Sequence, residues 1–167
     1  MKKLIYCCSI LSLLSMIACK GDKFKFPDRL DGSWKIVKSE RWAILADGTT
    51  DQFEDLSDAG SMQIYEPSPP AETLKEFLFT YTNFQGDQVQ FNSLLYTDVA
   101  SSRVMMSQVL CNSPFECDIV WTVDVNKKNK QVWSVYGTEA GFFYAGNRYD
   151  ASSNDFHLKW TITLERE

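Results

Sequence analysis

The chemistry available to this sequence depends first on its cysteines, because histidine occurs only once, as His157. Two of the five cysteines, Cys7 and Cys8, lie inside an apolar N-terminal run. Cys111 and Cys117 are separated by five residues, which does not match the C-x-x-C spacing of metal and redox sites. In an oxidising compartment these two thiols form a disulfide that closes a short loop. The remaining cysteine, Cys19, needs a separate explanation.

The N-terminus carries a pattern that indicates export. Two lysines precede an uncharged, mostly apolar run over residues 4–18, which is shorter than the ~20 residues that a membrane-spanning helix needs. The run ends in Met16-Ile17-Ala18-Cys19, which resembles the lipobox of bacterial lipoproteins with Met in place of the usual Leu. The resemblance implies that residues 1–18 are a lipoprotein signal peptide and that Cys19 carries lipid chains such as palmitate. An ordinary secretory signal or an uncleaved anchor helix is the alternative.

The expected partner of the mature N-terminus is therefore a membrane, reached through the lipid on Cys19. Two or more acyl chains hold a protein stably on a bilayer. Residues 19–28 read as the lipidated tether and residues 29–167 as the folded domain. Lys20 does not resemble an inner-membrane retention signal. We therefore expect the outer membrane, with the periplasmic face favoured over the cell surface and surface display left open.

Composition excludes several classes of function. Without Lys2 and Lys3 the chain keeps 15 basic and 22 acidic residues, a net charge of −7, which argues against nucleic-acid binding. No Ser-His-Asp set, Cys-His pair or metal-ligand cluster can be assembled from the sequence. We therefore expect a protein that is not an enzyme, with no catalytic residues, no metal site and no cofactor.

Period-two alternation predicts an all-β domain. Residues 156–166 alternate between an apolar face and a polar face that carries His157, as in a strand with one buried side. The acidic segment 46–60 reads instead as a solvated loop or a displayed surface. Turn residues separate the strand candidates, which indicates an antiparallel up-and-down meander. These candidates are residues 33–45, 61–66, 76–82, 88–96, 102–110, 118–126, 131–136, 141–150 and 156–166.

A Gly-x-Trp tripeptide, Gly32-Ser33-Trp34, stands at the head of the first predicted strand. It resembles the signature of lipocalins, and in particular the lipocalin-like lipoproteins of Bacteroidetes. The resemblance implies a meander closed into an eight- to nine-stranded barrel, with the tryptophan plugging one end and an arginine of the last strand packed across its ring. Arg166 is in phase with the apolar face of its strand and is the matching candidate. A core tryptophan of an unrelated β sandwich is the alternative.

Two functions fit such a barrel. In the first, aromatic side chains on the inner face line a pocket for one small apolar or amphipathic ligand, although the same rings could fill the barrel instead. The ligand-binding candidates are Phe77, Phe79, Tyr81, Phe91, Trp121 and Trp160. In the second, a filled barrel is the scaffold of a protein- or glycan-interaction module in the cell envelope. The disulfide loop between Cys111 and Cys117 would then be a rigid display element.

The lipidation assignment predicts the outcome of one substitution. Cys19→Ser should abolish incorporation of labelled palmitate and release the protein from the membrane fraction, because no sulfur remains to accept the diacylglyceryl group. Metabolic labelling followed by membrane fractionation measures both effects, and Cys111→Ser is the matched control that should keep the label. Equal labelling of the Cys19→Ser variant and the wild type would contradict the assignment.

Overall fold

The computed structural model describes residues 27–71, 73–82, 86–98, 100, 102–107, 119–137 and 156–167. It contains a 3₁₀ turn at Pro27–Arg29 and eight strands. The strands are β1 Gly32–Leu45, β2 Thr50–Tyr65, β3 Leu74–Thr82, β4 Gln88–Asp98, β5 Arg103–Ser107, β6 Ile119–Lys127, β7 Lys130–Tyr136 and β8 Phe156–Arg166.

Each strand pairs antiparallel with the next along the chain, and β8 pairs back to β1, so the sheet is a closed barrel. The predicted all-β, antiparallel up-and-down barrel is therefore confirmed. Each of the eight strands therefore pairs with a neighbour on both sides along at least part of its length. Among the described residues, no helix is long and apolar enough to cross a membrane.

The composition of the acidic segment 46–60 predicted a solvated loop, and this prediction is wrong. Residues 46–49 form a tight turn, and β2 begins at Thr50 and runs for 16 residues. Only part of this strand faces the core, since Glu54 and Ala59 are buried while Asp55 and Asp58 are exposed. The charges on the wet face of a strand had the same appearance in the sequence as those of a loop.

A β-bulge in β1 changes which side chains enter the barrel. The register of β1 shifts between Ile36 and Lys38 against both β2 and β8. The shift exchanges the two faces of the strand, as an extra residue in one strand does. Beyond it, Ser39 and Arg41 are fully buried, whereas Trp42 is only half-buried.

One end of the barrel is closed by Trp34, which is fully buried. Its indole Nε1 donates to the carbonyl oxygen of Leu30 at 2.6 Å, and the Arg166 guanidinium carbon lies 4.5 Å from its ring centroid. Arg166 also donates to the carbonyl oxygens of Asp31 at 2.8 Å, Arg29 at 2.7 Å and Lys128 at 3.0 Å. The guanidinium thus joins β8, the 3₁₀ turn and the β6–β7 turn beneath the indole.

Steric constraints explain why residue 32 is a glycine. Its φ is +114°, a conformation that side chains rarely adopt. A Cβ atom there would come 2.9 Å from Arg166 Nη1. The Gly-x-Trp tripeptide therefore places a residue without a side chain beside the arginine that covers the tryptophan.

The fold predicts that any side chain at position 60 destabilises the protein. Its φ is +149°, and a Cβ atom would lie 1.9 Å from the carbonyl oxygen of Thr80 in the neighbouring strand. Gly60→Ala should lower the free energy of unfolding by about 3 kcal/mol, since the β2–β3 backbones must separate. Gly48→Ala is the matched control: its φ is +82° with nothing within 4 Å of the new Cβ, so the loss should be about 1 kcal/mol. Urea unfolding measures both losses, and equal losses would contradict the close backbone contact.

Candidate functional site

The aromatic candidates from the sequence are brought together inside the barrel. Phe77, Phe79 and Tyr81 project inward from β3, Trp121 from β6 and Trp160 from β8, and each is at most 1% exposed. The Trp121 and Trp160 ring centroids lie 4.8 Å apart, and the Tyr81 and Trp160 centroids lie 5.4 Å apart. Phe91 pairs with Phe79 in the β3–β4 register, and its side chain lies outside the described atoms.

These rings leave no free space between them. Any space wide enough for a water molecule would give exposed area to the side chains that line it, and the Tyr81, Trp121, Trp133 and Trp160 side chains have none. An eight-stranded barrel is just wide enough for its own side chains to fill it. Around these residues the barrel is filled, so a guest molecule would have to displace them.

A buried polar cluster lies among the rings, and the alternation pattern of the sequence did not predict it. Its members are Ser39, Arg41, Glu54, Tyr81 and Trp160, which we call the interior cluster. Arg41 and Glu54 face each other across β1 and β2 and form an ion pair whose side chains are both 0% exposed. The guanidinium carbon of Arg41 also lies 4.1 Å from the Trp160 ring centroid.

Hydroxyl groups complete the interior cluster. Tyr81 donates to Glu54 Oε1 at 2.5 Å, Ser39 donates to the same oxygen at 3.2 Å, and Trp160 Nε1 donates to Ser39 Oγ at 2.8 Å. Arg41 Nη1 lies 3.1 Å from the Tyr81 hydroxyl oxygen, to which it donates. Burial is the largest cause that raises the pKa of Tyr81 well above its usual value, so the phenol stays protonated as a donor.

Two further donors sit in the same core. The indole Nε1 atoms of Trp121 and Trp133 are buried and have no acceptor among the described residues, and their ring centroids lie 6.3 Å apart. A buried donor without a partner costs about 1–3 kcal/mol. The core therefore contains buried donor groups whose cost an aliphatic core would not have.

A second site lies on the outside of the barrel, where β2, β3 and β4 form a shallow cleft of about 470 Å³. Outward side chains make most of its wall: Tyr65, Glu76, Leu78, Asn92 and Leu94. Phe77 and Ser93 complete the lining. Spacing along the sequence gave no signal for this cleft, because it depends on the register of three strands.

An apolar row continues from the cleft around the barrel wall. Leu74 pairs with Tyr96, Tyr96 with Met105, and Met105 with Val120, so one outward residue from each of β3 to β6 lies side by side. Tyr96 is 38% and Val120 41% exposed. Exposed apolar patches of this kind are typical of interaction surfaces. We call the cleft and this row together the outer face.

Several predicted sites fall outside the described residues. These are the lipidation site Cys19, the disulfide candidates Cys111 and Cys117, and the strand over residues 141–150. His157 is exposed on β8, on the polar face of its strand. Among the described residues, no group of three or more His, Cys, Asp or Glu side chains is arranged to hold a metal ion.

Comparisons with known proteins find structural likeness without sequence likeness. No protein-family model and no curated protein matches the chain. A redesigned β-barrel is 12% identical, with 88% of this chain and 99% of that chain covered and a TM-score of 0.44. A lipocalin-like protein from Bacteroides uniformis is 10% identical, with 83% and 99% covered and a TM-score of 0.39. Lobster apocrustacyanin A1 is 9% identical, with 84% and 62% covered and a TM-score of 0.43.

The strand order and the closed end define the class of protein. A closed, eight-stranded, up-and-down barrel with Trp34 buried at the head of β1 and Arg166 of β8 across its ring has a lipocalin-like fold. This assignment comes from the contacts within the chain itself.

The interior cluster predicts a non-additive pair of substitutions. Arg41→Met and Glu54→Leu should each lower the free energy of unfolding by about 3–5 kcal/mol, because each leaves the partner charge buried alone. The double variant should be more stable than either single variant, since no unpaired charge remains in the core. Urea unfolding of the four proteins measures the coupling. Additive losses would show that the two charges do not depend on each other.

Proposed function

We propose that this protein is a lipid-anchored lipoprotein of the bacterial cell envelope that recognises a partner through its outer face. In this proposal the lipocalin-like barrel is a filled scaffold, and Cys19 holds it on the outer membrane through its lipid. The observation that carries the proposal is the contrast between the two faces of the sheet. The inner rings are at most 1% exposed, while the outer wall carries a cleft and partly exposed aromatic and aliphatic side chains.

The energy needed to separate the packed inner rings supports a scaffold role for the interior. Replacing a buried Trp by Ala costs about 3–5 kcal/mol of stability, which shows how much the packing of such a ring contributes. A guest that enters between Trp121 and Trp160 must first separate rings whose centroids lie 4.8 Å apart, and it must do so beside a paired buried charge. Recognition at the outer face requires no such rearrangement, since its side chains already face solvent.

A second candidate function is carriage of a small amphipathic ligand inside the barrel. The interior cluster favours it, because a few convergent polar groups among apolar walls are typical of small-molecule sites. The unpartnered indole donors of Trp121 and Trp133 favour it as well, since a ligand oxygen could accept from them. In this candidate the ligand displaces the inner rings, and the outer face has no role.

Titration with cis-parinaric acid, a fluorescent fatty acid, separates the two candidates. The scaffold proposal predicts no saturable probe binding and no quenching of tryptophan emission, because the rings around Trp121 leave no space for the probe. Stoichiometric binding that quenches the tryptophans would overturn it. Trp121→Ala should then abolish that binding, while Tyr96→Ala, on the outer face, is the matched control that should leave it unchanged.

A further inference from the structure

The cleft on β2–β4 has a defined arrangement of side chains. Tyr65, Glu76 and Leu94 are paired in sequence across three neighbouring strands, so they form one row. Leu78 and Asn92 form the next row and lie opposite each other. Glu76 and Asn92 are diagonal neighbours on this face, which places the two residues about 7–8 Å apart and their Cβ atoms somewhat closer.

The polar groups of the cleft are available to a ligand. Glu76 and Asn92 are exposed, and neither is joined by a hydrogen bond or ion pair to another described residue. One carboxylate supplies two acceptor oxygens, and one amide supplies a carbonyl acceptor and two donor hydrogens. The Tyr65 hydroxyl donates to Gln63 Oε1, which holds the ring on the outer wall with 45% of the residue exposed.

We infer that this cleft binds a neutral saccharide, an inference that rests on the proposed role of the outer face. A sugar presents hydroxyls on its edges and C–H groups on its faces. The Glu76 and Asn92 side chains match the hydroxyls, and the Tyr65 ring with the Leu78 and Leu94 side chains matches the C–H faces.

Charge and size support a neutral saccharide over other ligands. Glu76 is the only charged side chain in the lining, and it repels anions such as phosphate or sulfate. A single carboxylate does not provide the six to eight oxygen ligands that a calcium ion takes. The volume of about 470 Å³ lies in the range of small-ligand sites, and the alternation of polar and apolar walls does not suit a long acyl chain.

Calorimetric titration of the detergent-solubilised lipoprotein with three neutral trisaccharides tests the inference. The probes are maltotriose, cellotriose and N,N′,N″-triacetylchitotriose, and at least one should bind saturably. Glu76→Gln should weaken that binding about tenfold, because it exchanges a charged acceptor oxygen for an amide nitrogen that only donates. Asn92→Ala should weaken it about tenfold as well, because it removes both the donor and the acceptor of the amide. Gln88→Ala alters an exposed residue of β4 outside the cleft and should leave the affinity unchanged.

Each outcome has a separate meaning. Absence of binding by all three trisaccharides, with an interior that also excludes cis-parinaric acid, overturns the saccharide assignment and leaves the scaffold proposal intact. Binding that Glu76→Gln and Asn92→Ala do not weaken overturns this cleft as the site. A monomer–dimer equilibrium that Tyr65→Ala abolishes, without any saccharide binding, identifies a second copy of the chain as the occupant and also overturns the inference.

Discussion

The constraint behind this structure is that a closed sheet of eight strands has one narrow interior, which its own side chains are large enough to fill. In this chain, tryptophan supplies much of that volume: Trp34, Trp121, Trp133 and Trp160 are all fully buried. The Gly60 backbone approaches β3 so closely that no side chain fits, and the β1 bulge sits opposite that glycine.

The Arg41–Glu54 pair follows from the same constraint. A flat guanidinium can stack on an indole, as Arg41 does on Trp160, and so can enter an aromatic core that would reject a bulkier hydrated cation. Glu54 neutralises the charge, and Tyr81 and Ser39 donate to its carboxylate. Pairing and hydrogen bonding reduce the cost of desolvation, but a pair of this kind usually adds little stability over apolar packing. Its clearest structural consequence is that it joins β1 to β2 inside the barrel, where the two residues lie opposite each other.

The strands could be predicted from the sequence because the evidence for them was local: alternation over β6 and β8 required no knowledge of neighbouring strands. Closure of the barrel and the contact between Trp34 and Arg166 were expected instead from the resemblance of Gly32-Ser33-Trp34 to the lipocalin signature. The interior cluster could not be found in this way. Uninterrupted alternation from Trp34 would point Trp42 inward and Arg41 outward, and the bulge between Ile36 and Lys38 reverses that assignment. The outer cleft was equally hidden, because Tyr65, Glu76 and Asn92 become neighbours only through pairing between strands.

The central claim, that the barrel is filled, is tested most directly by xenon. Xenon enters dry apolar cavities, including those too hydrophobic to hold water. A filled barrel predicts that a crystal or an NMR sample under xenon pressure will show no bound xenon beside Trp121, Trp133 or Trp160. A xenon atom seated among these three rings would contradict the account, because it would reveal an interior with room for a ligand.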